Sequence, residues 1–144
     1  MMKELWINLP VKDVGKTKTF WEKLGFSFDE KMGNSDDSAK LVIGEKNINV
    51  MLFAEDTFKS FTKNEIPVGG QTTEALFSIE VESREQVDET AKKVSEAGGT
   101  IFSEPEEIQG WMYGCGFADL DGHRWNVMQM DFSKMPQQYE INLE

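Results

Sequence analysis

Hydrophobic and polar positions alternate in two widely separated stretches of the chain, and this alternation predicts two half-buried β-strands. In LWINLPV (5–11), every second residue is aliphatic, and ALFSIEV (75–81) has the same period of two. A segment with apolar residues at helical spacing follows each strand, the first after Asp13 and the second after the capping box Ser83–Gln86. The pattern therefore predicts a strand–helix unit that occurs twice.

Three strand-like stretches separated by turn residues follow each predicted helix. They read FSFDEKM, SAKLVI and NINVMLF after the first helix, and TIFSEP, GWMYGCGFA and HRWNVMQM after the second. The two copies can be aligned, since Asn-Val-Met occurs at 49–51 and again at 126–128. The predicted fold class is α+β, with two βαβββ modules in tandem at about 3–55 and about 74–131.

Each module has roughly 60 residues, too few to bury enough surface alone, so we expect both modules to pack into one domain over residues 1–144. Two such modules would form a curved, half-open, barrel-like groove. The residues between them, about 56–73, are predicted to be a linker in which Phe58 and Phe61 anchor one helical turn. Residues 132–144 form a polar C-terminal tail.

The amino-acid composition limits the kinds of molecule that the protein is expected to bind and the compartment in which it is expected to occur. The net charge of −11 argues against binding nucleic acid or an anionic membrane. It is interpreted first as a means of keeping the protein in solution, and alternatively as a charge that could concentrate a cationic small molecule. The longest apolar run, residues 50–54, is much shorter than a membrane span, and the first ten residues do not resemble a signal peptide. With one cysteine, Cys115, no internal disulfide can form. We therefore expect a cytoplasmic protein.

Several motifs together carry a resemblance to a known family. They are INLPVKD in the first strand, KLGF at the end of the first helix, and YGCGFADLDGHRWNVM near the end of the chain. With the repeated modules, these motifs resemble the vicinal oxygen chelate superfamily, which includes glyoxalase I, extradiol dioxygenases, fosfomycin-modifying enzymes and bleomycin-resistance proteins. The resemblance covers residues 3–131, and it implies the groove described above and a homodimer.

The resemblance also identifies four positions that hold a divalent ion in the metal-dependent relatives. Carried onto this sequence, these positions are Trp6, Asn49, Leu76 and Asn126. An indole offers only an N–H donor, leucine offers no donor atom, and carboxamide oxygens are weak, neutral ligands. The chain also has one histidine, whereas a dioxygenase of this type needs two histidines and a carboxylate. We therefore expect no metal and no other cofactor at these positions.

The single histidine, His123, follows the turn segment Asp119–Gly122. Two interpretations are open: a general base at the edge of the groove, or a residue that stabilises the turn through a local hydrogen bond. Asp119 and Asp121 are interpreted as turn-forming residues rather than as an acid pair. No catalytic residue is assigned.

The residues expected to line the groove are aromatic or sulfur-containing, with a few neutral hydrogen-bonding groups. A four-residue turn at 119–122 would pair Ala118 with His123 and set Cys115 opposite Asn126. The predicted ligand-binding residues are Trp6, Asn8, Asn49, Met51, Leu76, Ser78, Trp111, Tyr113, Cys115, Asn126 and Met128. Such a composition is typical of a pocket for a planar or amphipathic organic ligand. Alternatively, these side chains meet and fill the groove.

Three functions follow from these predictions. The first is a small-molecule binding protein similar to the bleomycin-resistance branch, without a metal. The second is a lyase, isomerase or dioxygenase of the same superfamily, which would use unrecognised metal ligands or work without metal through Cys115, Tyr113 or Glu80. The third is an interaction protein whose groove is filled by its own side chains.

Overall fold

The computed structural model describes residues 1–68 and 71–136, which form two compact units. Among the described residues, the first unit comprises 1–68, 71–72 and 120–122, and the second comprises 73–119 and 123–136. The predicted tail begins with a short 3-10 helix at Phe132–Lys134, and its residues 137–144 lie outside the described residues.

The first unit contains a four-stranded mixed sheet in the order β1-β4-β3-β2. Strands β1 and β4 are parallel, and the other neighbouring strands are antiparallel. The second strand is shorter than the sequence pattern predicts and has only two residues. The elements are β1 (Trp6–Val11), α1 (Val14–Lys23), β2 (Ser27–Phe28), β3 (Ser38–Ile43), β4 (Ile48–Ala54) and α2 (Glu55–Thr62).

The second unit repeats this topology, with a mixed sheet in the order β5-β8-β7-β6. Strands β5 and β8 are parallel, and the pairs β6–β7 and β7–β8 are antiparallel. The elements are β5 (Leu76–Glu80), α3 (Arg84–Glu96), β6 (Thr100–Ile108), β7 (Met112–Ala118) and β8 (Arg124–Met130). The predicted α+β class, with the repeated βαβββ order, is confirmed.

Helices α1 and α3 begin where side chains satisfy the first free backbone N–H groups. The Asp13 carboxylate accepts a hydrogen bond of 2.9 Å from the Lys16 N–H at the start of α1. At the start of α3, Ser83 and Gln86 form the predicted capping box. Within the described part of the chain, no helix has the length and apolar character needed to cross a bilayer.

The predicted linker begins with more regular structure than one anchored turn. Helix α2 has eight residues, and its first turn carries Glu55 and Asp56, whose negative charges favour a helix N-terminus. The Phe61 ring packs edge-on against Phe53 of β4, with 5.1 Å between the ring centroids. This aromatic contact fixes the helix to the end of the first sheet.

The core of each unit lies between its sheet and one helix. In the first unit, Phe20 and Trp21 of α1 are buried, and in the second unit Val87 and Val94 of α3 are buried. Because side chains alternate along a strand, every second residue faces that helix. The opposite side is termed the far face. It carries Trp6, Asn8, Lys40, Asn49 and Met51 in the first unit, and Leu76, Ser78, Glu80, Arg124, Asn126 and Met128 in the second.

Candidate functional site

The turn between β7 and β8 is closed by Asp119. The Asp119 N–H donates to the carbonyl oxygen of His123 at 3.0 Å, and the Asp119 carboxylate accepts the His123 N–H at 3.0 Å. The other carboxylate oxygen accepts the indole N–H of Trp125 at 3.1 Å. With its side chain buried and hydrogen-bonded in this way, Asp119 is a structural residue of the turn.

The closed pair Asp119–His123 leaves a loop of three residues, not four. Gly122 has φ +86°, the left-handed conformation that the last position of a three-residue hairpin loop requires. Ala118 therefore pairs with Arg124, and the predicted pairing of Ala118 with His123 is wrong by one residue.

A one-residue change of register moves side chains to the opposite face of a sheet. Cys115 pairs with Val127, and Gly116 pairs with Asn126, so the predicted position of Cys115 opposite Asn126 is wrong. Tyr113 and Cys115 lie on the α3 side of the second sheet. Trp111 directly precedes β7 and, being two residues before Tyr113, lies on the same side. The prediction that these three share a face with Asn126 and Met128 is therefore wrong.

Tyr113 and Cys115 both interact with α3. The Tyr113 hydroxyl donates to the Asp88 carboxylate at 2.6 Å, which raises the pKa of the phenol. The Cys115 side chain is 4% exposed, and its Sγ lies 4.0 Å from the carbonyl oxygen of Val87. Burial raises the pKa of the Cys115 thiol to about 11, so the thiol is neutral at pH 7 and is a poor nucleophile.

Trp111 contributes to a cavity on the helix side of the second unit. Its ring packs against Phe132, with 5.7 Å between the centroids. The cavity has a volume of about 250 Å³, and it is also lined by Arg84 at the start of α3 and by Lys134. Arg84 pairs with Glu107, and Lys134 pairs with Asp131, so both cations are already neutralised.

The far face of the first unit carries Trp6 beside a cation. Trp6 pairs with Asn49 across the parallel strands β1 and β4, which places both side chains on this face. The Lys40 ammonium lies 4.9 Å from the centroid of the Trp6 ring and 3.3 Å from a carboxylate oxygen of Asp29. The Asn49 amide N–H₂ lies 3.5 Å from a carboxylate oxygen of Glu4. The Trp6 side chain remains 37% exposed.

Met51 lies on the same face but is covered. Its side chain is 7% exposed, and the loop between β2 and β3 packs on it at Gly33. A Cβ added to Gly33 would lie 2.8 Å from the Met51 Cε. Asn8, which pairs with Met51, is exposed. Among the predicted ligand-binding residues of the first unit, Met51 is thus the one that is buried beneath another segment of the chain.

The far face of the second unit brings together four of the predicted residues. Leu76 and Ser78 of β5 are exposed, and Asn126 and Met128 of β8 are partly exposed. The Asn126 amide lies 3.5 Å from the Ser78 hydroxyl, at the limit of a hydrogen bond.

Sequence reasoning missed Arg124 on this far face and Phe102 on β6. The Arg124 guanidinium lies 4.3 Å from the centroid of the Phe102 ring. Period-two alternation places Arg124 on the same face as Asn126, so the sequence contained that signal. The position of Phe102 could not be derived, because β6 contains irregularities between Ile101 and Glu106 that interrupt the alternation.

The four positions implied by the resemblance do not fit a divalent ion. Trp6 and Leu76 offer no lone pair for a metal, and each has a cation beside it: Lys40 over the Trp6 ring, and Arg124 as the cross-strand partner of Leu76. Among residues 1–68 and 71–136, no three His, Cys, Asp or Glu side chains are grouped so as to hold a metal ion.

Comparison with known protein families identifies the superfamily of this chain. The family model described as Glyoxalase/Bleomycin resistance protein/Dioxygenase superfamily matches residues 5–127. The chain belongs to this superfamily. No protein of curated function matches the chain.

Solved structures agree with this membership. The hypothetical protein SA1046 from S. aureus is 33% identical with a TM-score of 0.79, over 90% of this chain and 95% of that chain. A glyoxalase/bleomycin resistance protein/dioxygenase family enzyme from Burkholderia phytofirmans PsJN is 17% identical with a TM-score of 0.74, over 88% and 97%. The fosfomycin resistance protein FosX from Listeria monocytogenes is 20% identical with a TM-score of 0.66, over 93% and 98%. The last two share the superfamily fold.

Proposed function

We propose that the far face of each sheet in this superfamily member binds small organic molecules without a metal ion. The observation that carries the proposal is the replacement of metal ligands by organic contact groups. At the four positions where the metal-dependent relatives hold an ion, this chain has an exposed indole, an exposed aliphatic side chain and two carboxamides. These groups bind a ligand through ring surfaces, apolar contact and neutral hydrogen bonds.

The residues proposed to contact the ligand are those left accessible on the far faces. Trp6 provides a flat apolar surface, and Asn8 and Asn49 provide both donors and acceptors beside it. The remaining members, on the second sheet, are Leu76, Ser78, Asn126 and Met128. Tyr113 and Cys115 are left out because they lie on the helix side, which also removes two of the three residues considered for a metal-free isomerase.

A homodimer located in the cytoplasm belongs to the same proposal. Its support is the resemblance to the superfamily and the presence of a single cysteine, which suits a reducing compartment.

Trp6→Ala is expected to weaken ligand binding. An aromatic contact contributes about 0.5–1.5 kcal/mol beyond the burial of area, so the dissociation constant should rise about twofold to tenfold. Isothermal titration with a panel of planar aromatic compounds, carrying positive, negative or no charge, measures this change. The matched control is Phe132→Ala, which removes another exposed aromatic ring on the helix side.

The control variant should bind the panel as the wild-type protein does. An equal loss of affinity in both variants would show that the ligand does not contact Trp6 specifically. Absence of binding across the whole panel in the wild-type protein would count against the proposed function itself.

A further inference from the structure

We infer that the far face of the second unit binds the carboxylate of a small organic acid through Arg124. The inference rests on the proposed function, and it names the class of ligand. Arg124 is the first residue of β8, and its cross-strand neighbours are Leu76 on β5 and Ala118 on β7. Arg124 therefore shares this face with three of the proposed contact residues: Leu76, Ser78 and Asn126.

The Phe102 ring holds the guanidinium in place. Stacking on an aromatic face leaves the N–H groups at the rim of the guanidinium plane available for an acceptor. The ring itself lies over Gly116, where a Cβ would come within 2.5 Å of the ring atoms. Because a glycine at this point lets the ring rest on bare backbone, Phe102 and Arg124 can lie close against the sheet.

Arg124 has no carboxylate partner among residues 1–68 and 71–136. The other arginine of the chain, Arg84, is also stacked on a ring, that of Tyr113 at 4.9 Å, but Arg84 pairs with Glu107. The two arginines therefore differ in one respect: Arg84 forms an ion pair with Glu107, whereas Arg124 forms no ion pair in the described part of the chain. A planar carboxylate matches that fork with two parallel hydrogen bonds.

Neighbouring groups limit the rest of the ligand. Asn126 and Ser78 add neutral hydrogen-bonding groups on the same face, two residues along the strands from the Arg124–Leu76 pair, and Met128 adds apolar surface farther along β8. Glu80 pairs with Met128 at the far end of this face, four residues or about 13 Å along the strand from the Arg124–Leu76 pair. A single guanidinium balances one negative charge, and Glu80 repels a second one carried at the opposite end of the ligand. The arrangement therefore fits a monocarboxylate with an uncharged, planar or apolar body.

The net charge of −11 does not prevent this recognition. At physiological salt, charges more than about 8 Å from the ligand are largely screened, whereas a guanidinium in direct contact is not. The acidic surface slows the approach of an anion, and the local contact determines how long it stays.

The experiment compares three probes of the same shape and different charge: naphthoate, naphthamide and the naphthylmethylammonium cation. Isothermal titration at low salt and at physiological salt is run on the wild-type protein and on Arg124→Gln, Arg124→Lys and Arg84→Gln, each checked for native circular dichroism. We expect naphthoate to bind more tightly than naphthamide, and its dissociation constant to rise about tenfold in Arg124→Gln. Arg124→Lys keeps the charge and loses the fork, so an intermediate affinity is expected.

Arg84→Gln is the matched control, and it should leave all three affinities unchanged. The inference is overturned if naphthamide or the cation binds as well as naphthoate, or if Arg124→Gln leaves the naphthoate affinity unchanged; the proposed function survives both outcomes. If none of the three probes binds the wild-type protein, both the inference and the proposed function are contradicted.

Discussion

Trp125→Ala is expected to lower the free energy of unfolding by about 3–5 kcal/mol, the usual cost of emptying a large aromatic site in a core. The Trp125 side chain is 2% exposed, and its ring lies 5.0 Å from that of Phe77 within the core beneath α3. Removing it also leaves the Asp119 carboxylate without the indole N–H. Urea denaturation followed by circular dichroism measures the loss.

The matched control is Trp6→Ala, which removes the same side chain from the far face of the first unit. Trp6 is 37% exposed and has Lys40 over its ring, so we expect the free energy of unfolding to fall by only about 1 kcal/mol. Similar losses in the two variants would show that the assignment of core and far face is wrong. The contrast is informative because the two variants share their chemistry and differ in position.

Asp119→Ala is expected to lower the free energy of unfolding by about 2–4 kcal/mol. Two hydrogen bonds to a carboxylate are lost, and the indole N–H of Trp125 is left buried without its acceptor. Asp119→Asn keeps one side-chain oxygen as an acceptor and should lose less. Thermal and urea unfolding of the three proteins give the order of stability.

Asp121→Ala is the control within the same turn. The Asp121 carboxylate accepts the exposed Lys12 N–H at 2.8 Å and the Thr17 hydroxyl at 3.4 Å, so its replacement should cost about 1 kcal/mol. A larger loss for Asp121→Ala than for Asp119→Ala would contradict the account of how this turn is closed. It would also reopen the interpretation of Asp119 as a functional acid.

The sequence was sufficient to predict the α+β fold and both helix starts, because those features depend on short-range patterns. Alternation along β1 and β5 is regular, so Trp6, Asn8, Leu76 and Ser78 could be placed on the side opposite the helix. The capping box at Ser83 likewise depends on residues three apart in the chain.

The sequence did not determine which residues of β7 point toward the helix and which lie on the far face. Asp119-Leu120-Asp121-Gly122 is compatible with loops of three or four residues, and the choice depends on the buried bonds of Asp119 to His123 and Trp125. The pattern of polar and apolar residues does not reveal these bonds, because it marks Asp119 only as a polar turn residue. A difference of one residue in the loop was enough to exchange the faces of Tyr113 and Cys115 with those of Gly114 and Gly116.

The corrected register changes the chemistry expected of the far face. Tyr113 and Cys115 were the strongest chemical groups in the predicted set, and both are engaged with α3. The groups that remain on the second far face are neutral or apolar, apart from Arg124 and Glu80 near its two ends. Such a surface recognises a ligand by shape and by one charge, which is why binding is proposed in preference to covalent chemistry.

The central claim is that the four positions used for metal in related proteins contact an organic ligand in this chain. Elemental analysis tests it most directly, on protein equilibrated with zinc, manganese and nickel and then passed through a desalting column. We predict a substoichiometric metal content that is the same in wild type and in Asn49→Ala and Asn126→Ala. A tightly held, stoichiometric ion that is lost when either asparagine is replaced would contradict the claim.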